Sequence, residues 1–229
     1  MAIVQTLKNL GATVHVHDDR SVTTSGRPAF GGDSSAVQHR LTNITNIFAN
    51  HCAFAAIKAD GTVVTWGDPD WGGESSPVQH LLTAVTTIAD TAYAFAALKA
   101  DGTVITWGDS NYGGDSSVIQ EKLINVTELI STDGAFAALK TDGTVVTWGN
   151  YNYGGDSSAV QKDLINIQTI VTDHYGFAAI KADGTKISWS FPILLRTFSL
   201  RRKAYFIFHL SLYIIFIYII FKSLKGIFP

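Results

Sequence analysis

Residues 94–107 read AFAALKADGTVITW, two short apolar runs around a polar centre. With a period of two, Phe95 and Ala97 share one face of the first run, and Ala96 and Leu98 the other. In the second run Thr103, Ile105 and Trp107 lie on one face, with Val104 and Thr106 opposite. Neither face is strongly polar. The pattern therefore predicts a strand pair covered on both sides, its alanines letting a neighbouring sheet approach closely. Asp101-Gly102 predicts a two-residue hairpin turn, whose central positions both take positive φ. Upstream, NVTELIS at 125–131 predicts a third strand, while VIQEKLI at 118–124 fits either one helical turn or an outer fourth strand.

The same unit is written repeatedly. Trp66, Trp107, Trp148 and Trp189 are spaced at 41 residues without insertion or deletion, as are Gln38, Gln79, Gln120 and Gln161. Phe30, Trp71, Tyr112 and Tyr153 keep the same step, each followed by Gly-Gly. A fixed period of this size is the mark of a propeller, solenoid or array, and it outranks any local reading. The predicted architecture is all-β, a propeller-like array of about four repeats over residues 27–189. Residues 1–26 are a degenerate first repeat: VHVHDDRSVTTSG at 14–26 has Arg20 for the turn glycine and Ser25 for the tryptophan. Gln5 to Gln38 is shorter than a full period, so about eight residues of a strand are expected to be missing there.

The order strand, AFAALK-x-DG-TV-x-TWG, aromatic-Gly-Gly resembles the regulator of chromosome condensation type repeat, a β-propeller family. The likeness covers residues 27–189. GGDSS stands here where that family writes GQLG, and the unit is shorter than usual for it. The resemblance implies a blade-forming repeat, and the family's propellers typically close with seven blades. Four to five units imply a partial propeller, a smaller ring, or a homo-oligomer whose copies complete one ring. It also implies partner binding; the family's namesake exchanges nucleotide on a small GTPase. No segment here matches an exchange-active one.

Charge divides the chain. Residues 1–189 hold all 19 Asp and Glu but only 11 of the 17 Lys and Arg, a net −8, while residues 190–229 carry the other 6 bases and no acid. An acidic repeat region argues against nucleic acid as a partner, because phosphate binding is driven by Lys and Arg. The one cysteine, Cys52, excludes an internal disulfide and reads as a core filler in the column of Tyr93, Gly134 and Tyr175.

No nucleophile elbow, phosphate loop, dinucleotide fingerprint or zinc pattern occurs, so no catalytic residue, cofactor or metal site is assigned and the chain reads as a non-enzyme. Asp68, Asp70 and Glu74, Asp109, Asn111 and Asp115, and Asn150, Asn152 and Asp156 place oxygens at alternate positions around glycine, like the first half of a calcium loop. The closing bidentate glutamate is missing, and ordinary Asx turns explain the same residues. His15 and His17 alternate onto one strand face and could share a metal, though drift in a worn unit explains them as well. The Ser116-Ser117 pair recurs in every unit, which points to satisfying backbone groups rather than catalysis. Trp71, Tyr112, Tyr151 and Tyr153 form the candidate partner-binding loops, since aromatics combine large contact area with low entropy cost. The alternative is that they pack against the adjacent blade.

After Trp189 the repeat text stops. Residues 190–203 form a basic linker, and residues 204–221 are 18 residues without charge, bracketed by Arg201-Arg202-Lys203 and Lys222. A helix of that length reaches about 27 Å, enough for a bilayer's hydrocarbon core. The excess of bases before it places the repeats on the cytosolic side, giving a single-pass membrane anchor. The tail's Phe, Ile, Tyr, Leu, Ser and Lys bias also fits an A/T-rich stretch read in an arbitrary frame. Three functions remain open at this point: a scaffold for protein partners, a regulator of a small GTPase, and a decaying repeat fragment.

Overall fold

The computed structural model describes residues 1–190. They fold into five three-stranded antiparallel sheets, and these are the blades of the array. Blade 1 comprises β1 (Ile3–Lys8), β2 (Ala12–His17) and β3 (Val22–Gly26). Blade 2 has β4 (Ile44–Ala49), β5 (Ala53–Lys58) and β6 (Val63–Gly67); blade 3 has β7 (Val85–Asp90), β8 (Ala94–Lys99) and β9 (Val104–Gly108). Blade 4 follows with β10 (Val126–Ser131), β11 (Ala135–Lys140) and β12 (Val145–Gly149), then blade 5 with β13 (Ile167–Asp173), β14 (Gly176–Lys181) and β15 (Lys186–Ser190).

Two sequence expectations change, and one open alternative is decided. First, the opening unit is a whole blade: β1 begins 41 residues before β4, and no strand is missing. Gln5 is simply not the equivalent of Gln38; it lies within β1, whereas Gln38 opens a 3-10 turn. Second, residues 118–124 give no fourth strand. They form a 3-10 helix, Ser117–Lys122, and its equivalents are the shorter turns Gln38–Arg40, Gln79–Leu81 and Gln161–Asp163. Third, the Asp-Gly hairpin has three loop residues rather than two. The Lys99 N–H bonds the Thr103 carbonyl at 2.9 Å, and only Gly102 takes positive φ, at 77°. Asp101 keeps negative φ and uses its carboxylate to accept from the Thr103 N–H and hydroxyl at 2.9 and 2.6 Å. This is the turn with a following left-handed glycine that three-residue hairpins favour.

The blades stack through a repeated join. Ala94, Ala96, Leu98 and Val104 of blade 3 form one core cluster with Val126, Phe136, Ala138 and Trp148 of blade 4, and the other adjacent pairs of blades repeat this arrangement. β8 and β11 are buried on both faces up to their terminal lysine, as their unalternating apolar text requires. Each tryptophan locks the join. Its indole N–H donates to a loop carbonyl from the preceding unit: Trp66 to Gly31, Trp107 to Gly72, Trp148 to Gly113 and Trp189 to Gly154, at 3.0–3.1 Å. Gly113 has φ of 91°, and a Cβ there would come within 2.6 Å of Phe136, so only glycine lets the loop seat.

Ser116 and its equivalents bond side chains rather than the backbone groups expected of them. The Thr106 hydroxyl bonds Ser116 at 2.9 Å, Ser116 donates to the Gln120 side-chain oxygen at 2.9 Å, and the Gln120 amide donates to the Val104 carbonyl at 2.9 Å. The relay recurs around Gln38, Gln79 and Gln161, fastening the loop back onto its own blade. Four core clusters join five blades, so among the described residues no such cluster joins blade 5 to blade 1. The linker 190–203, apart from Ser190, and the apolar run 204–221 lie outside the described residues. Among those described, no helix is long and apolar enough to cross a membrane.

Candidate interaction surface

The array has two unlike ends. Chain direction puts the first bend of each blade and the post-tryptophan loop at one end, here called the rim. The Asp-Gly turns lie at the other end. At the rim, 3-10 turns Pro69–Trp71, Ser110–Tyr112 and Tyr151–Tyr153 present the aromatic column. Asp68, Asp109 and Asn150 open these turns by accepting the N–H two residues on, at 2.8–3.0 Å. The first oxygen that each loop offers for calcium is thus engaged in an Asx turn, and Glu74, Asp115 and Asp156 accept the N–H of Ser76, Ser117 and Ser158 at 2.7–2.9 Å. Among the described residues, no three His, Cys, Asp or Glu come together as metal ligands.

The aromatic residues are tied down from behind. The Asn50 amide donates to the Trp71 carbonyl at 2.6 Å, and the Thr91 and Thr132 hydroxyls donate to the Tyr112 and Tyr153 carbonyls at 3.0 and 2.9 Å. The rings then meet one another across blades. Centroids run Trp71 to Tyr93 at 4.5 Å, Tyr93 to Tyr112 at 4.6 Å, Tyr112 to Tyr153 at 6.4 Å and Tyr153 to Tyr175 at 5.9 Å. These spacings are those of interacting aromatic pairs. His51 adds an edge contact to Tyr93 at 5.3 Å, and His174 lies beside Tyr175 at 6.2 Å.

Trp71, Tyr112 and Tyr153 are therefore brought together, half-buried in one another and half-open to solvent. Tyr151, on the same loop as Tyr153, is 54 % exposed. The residues that complete the run, Tyr93 and Tyr175, belong to the column otherwise filled by Gly11, Cys52 and Gly134. A column mixing tyrosine with glycine looked like a filler, yet a Cβ at Gly134 would strike the Tyr153 ring at 2.6 Å. Small and aromatic residues in that column thus share the same space. Cys52 is the filler expected: buried, with its thiol pushed up to about 11 by burial and by Asp68.

Charge separates along the same axis. Among the described residues of blades 2–5 the rim loops carry Asp68, Asp70, Asp109, Asp133 and Asp173 and no lysine or arginine, whereas Lys58, Lys99, Lys140 and Lys181 sit beside the turns at the opposite end. There Lys58 pairs with Asp60 at 3.5 Å and Lys99 with Asp101 at 3.7 Å. Burial raises the Tyr112 and Tyr153 hydroxyls, and neighbouring tyrosines and carboxylates add to it, so the phenols stay protonated. His174 is raised by its 3.0 Å bond to Asp133. His15 and His17 share a face of β2, but they bond Thr6 and Thr23 at 2.9 Å.

No family model and no curated protein sequence matches the chain. Solved structures do match. Human WBSCR16 superposes with a TM-score of 0.52 at 16% identity, over 82% of this chain and 61% of that one. Yeast RCC1 (Prp20), bound to Kap60, gives 0.52 at 13% identity, over 82% and 56%. The chain has the fold of RCC1-type propeller repeats. The receptor kinase CR4 ectodomain from Physcomitrella patens matches equally, with a TM-score of 0.54 at 14% identity over 82% and 52%. The chain thus spans a little over half the length of these structures, and the likeness concerns fold.

Proposed function

We propose that this chain is a non-catalytic scaffold that holds a protein partner on its rim. The observation carrying this reading is the unbroken aromatic run from Trp71 through Tyr93, Tyr112 and Tyr153 to Tyr175. Half-open aromatics held by side-chain bonds to their own backbone offer contact area at little ordering cost. Carboxylates without lysine or arginine on the same loops favour a protein segment over a phosphate backbone. The test is proximity labelling with the full chain, comparing Trp71→Ala/Tyr153→Ala with Lys99→Ala/Asp101→Ala at the opposite end. The rim pair should lose the labelled partner and the opposite pair should keep it. The reverse pattern, or equal loss, would sink the proposal.

A second reading is regulation of a small GTPase. It is favoured by the match to Prp20p from Saccharomyces cerevisiae, solved with its binding properties to Gsp1p and histones, at a TM-score of 0.50 and 15% identity. Faster release of labelled nucleotide from a GTPase panel would support it; no change across the panel would leave the scaffold reading. The charge-free run 204–221 supports a membrane tether with the repeats on the cytosolic side. Alkaline carbonate extraction of the full chain checks this: retention in the pellet is expected, and full release would remove the tether from the reading.

A further inference from the structure

Every blade has two large faces, one toward the preceding blade and one toward the following blade. In blades 2–5 the face toward the preceding blade is built from six columns. These are Ile, Val, Val, Ile at 44, 85, 126 and 167; Ile, Ile, Leu, Ile at 47, 88, 129 and 170; phenylalanine at 54, 95, 136 and 177; and alanine at 56, 97, 138 and 179. Val64, Ile105, Val146 and Ile187 form the fifth, and the four tryptophans the sixth. The phenylalanines and tryptophans are at most 6 % exposed.

In blade 1 the same columns hold Ile3, Thr6, Thr13, His15, Thr23 and Ser25. Five of the six have turned polar, on the first of the described blades. The opposite face of the same strands did not change: Ala12, Val14, Val16 and Val22 are buried against blade 2, at 6 % exposure or less. β2 consequently alternates buried and half-open residues along its length, where β5, β8 and β11 are buried throughout except at the final lysine. Random decay would strike both faces alike. Here the substitutions fall on one.

Two pairs of polar groups on that face bond each other, while the His17 Nδ1 is buried without a partner. Thr6 and His15 are cross-strand partners and bond at 2.9 Å; His17 and Thr23 bond at 2.9 Å. This is the arrangement that lets an array end in water, as terminal repeats of stacked proteins must. The face also lacks what an incoming blade would grip. Thr13 stands where phenylalanine fills the join, and Ser25 has no indole to donate to a loop carbonyl.

We infer that blade 1 is a cap: its outward face terminates the array and prevents the last blade of a second copy from seating there to complete a ring. The worn text at 14–26 is therefore selected surface rather than decay, and head-to-tail closure by two copies is blocked on this side. Blade 5 keeps Ala178 and Ile180 on its forward face in the columns that bind the next blade, with Lys186 where Val63, Val104 and Val145 fill the join.

The test rebuilds the missing face in the full chain. Thr13→Phe/His15→Ala/Ser25→Trp restores the three most altered columns, and Thr6→Ile/Thr23→Val restores two smaller ones with little risk to folding. Sedimentation velocity in mild detergent should give a single monomeric species for the wild type at all concentrations. Both variants should associate as concentration rises, and adding Ile180→Asp on the forward face should abolish that association. Two results would overturn the inference: folded variants that remain monomeric, or a wild type that already associates and is dispersed by Ile180→Asp alone.

Discussion

Replacing Trp107 by phenylalanine tests the proposed logic of the joins. The indole N–H donates to the Gly72 carbonyl at 3.0 Å, and the ring stacks on Phe95 with centroids 5.3 Å apart. Both Trp107 and Gly72 are buried, so Phe at 107 leaves an acceptor with neither partner nor water, at a cost of about 1–3 kcal/mol. The smaller ring loses part of its contacts and opens a gap, adding about 1 kcal/mol, well below the full cost of truncating a buried aromatic. The sum is about 2–4 kcal/mol. With a denaturant slope of about 2 kcal/mol/M, the urea midpoint should fall by about 1–2 M in circular dichroism of the full chain. Trp66→Phe and Trp148→Phe break the same bond at 3.1 and 3.0 Å and should cost the same within error. Trp71→Phe, a half-exposed rim residue, should cost less than about 1 kcal/mol. If Trp107→Phe shifts the midpoint no more than Trp71→Phe, the indole-to-carbonyl latch is not what holds the blades.

Asp90 ends β7 in a column filled elsewhere by Ala49, Ser131 and Thr172, and burial pushes its carboxyl up to about 7 from 3.8. The folded state therefore holds its proton more tightly than the unfolded chain, so stability should decline as pH rises from about 3.8 to about 7 and then level off. Asp90→Ser should flatten that decline and stabilise at neutral pH by about 1–3 kcal/mol; unchanged pH dependence in melts of the variant would contradict this. Ala84 has φ of 53° where its equivalents are Asn43, Asn125 and Asn166. Ala84→Asn should stabilise by about 0.5–1 kcal/mol, since asparagine tolerates the left-handed region that alanine resists, and a lower melting temperature would refute it. Native Cys52 should react with a thiol reagent only as fast as the protein unfolds, because its thiol is buried and raised to about 11; rapid labelling of the folded chain would contradict the packing.

Much of the fold was legible because the 41-residue step samples the same environment repeatedly. Any column read at 66, 107, 148 and 189 reports one buried site four times, which outweighs the ambiguity of a short strand. The hairpin loop was misjudged by one residue: Asp-Gly fits two turn types, and the choice rests on backbone bonds between Lys99 and Thr103. The first unit was misjudged for a different reason. ATVHVH alternates cleanly, the mark of a half-covered strand, and its pairing with β1 shows a whole blade where the text suggested a missing strand. At the rim, sequence found Trp71, Tyr112 and Tyr153 through their Gly-Gly tag. Tyr93 and Tyr175 carry no such tag, and only their distances reveal the run.

By itself, then, the sequence determined the repeat, its period, the strands within it and the doubly covered character of the middle blades. These follow from local alternation and from spacing, which are properties of the chain read in order. Only the tertiary structure decided the number of blades, the indole and glutamine latches, the separation of rim carboxylates from turn lysines, and which face of blade 1 meets water. Each of those depends on residues from different units, or from opposite ends of one unit, meeting across space.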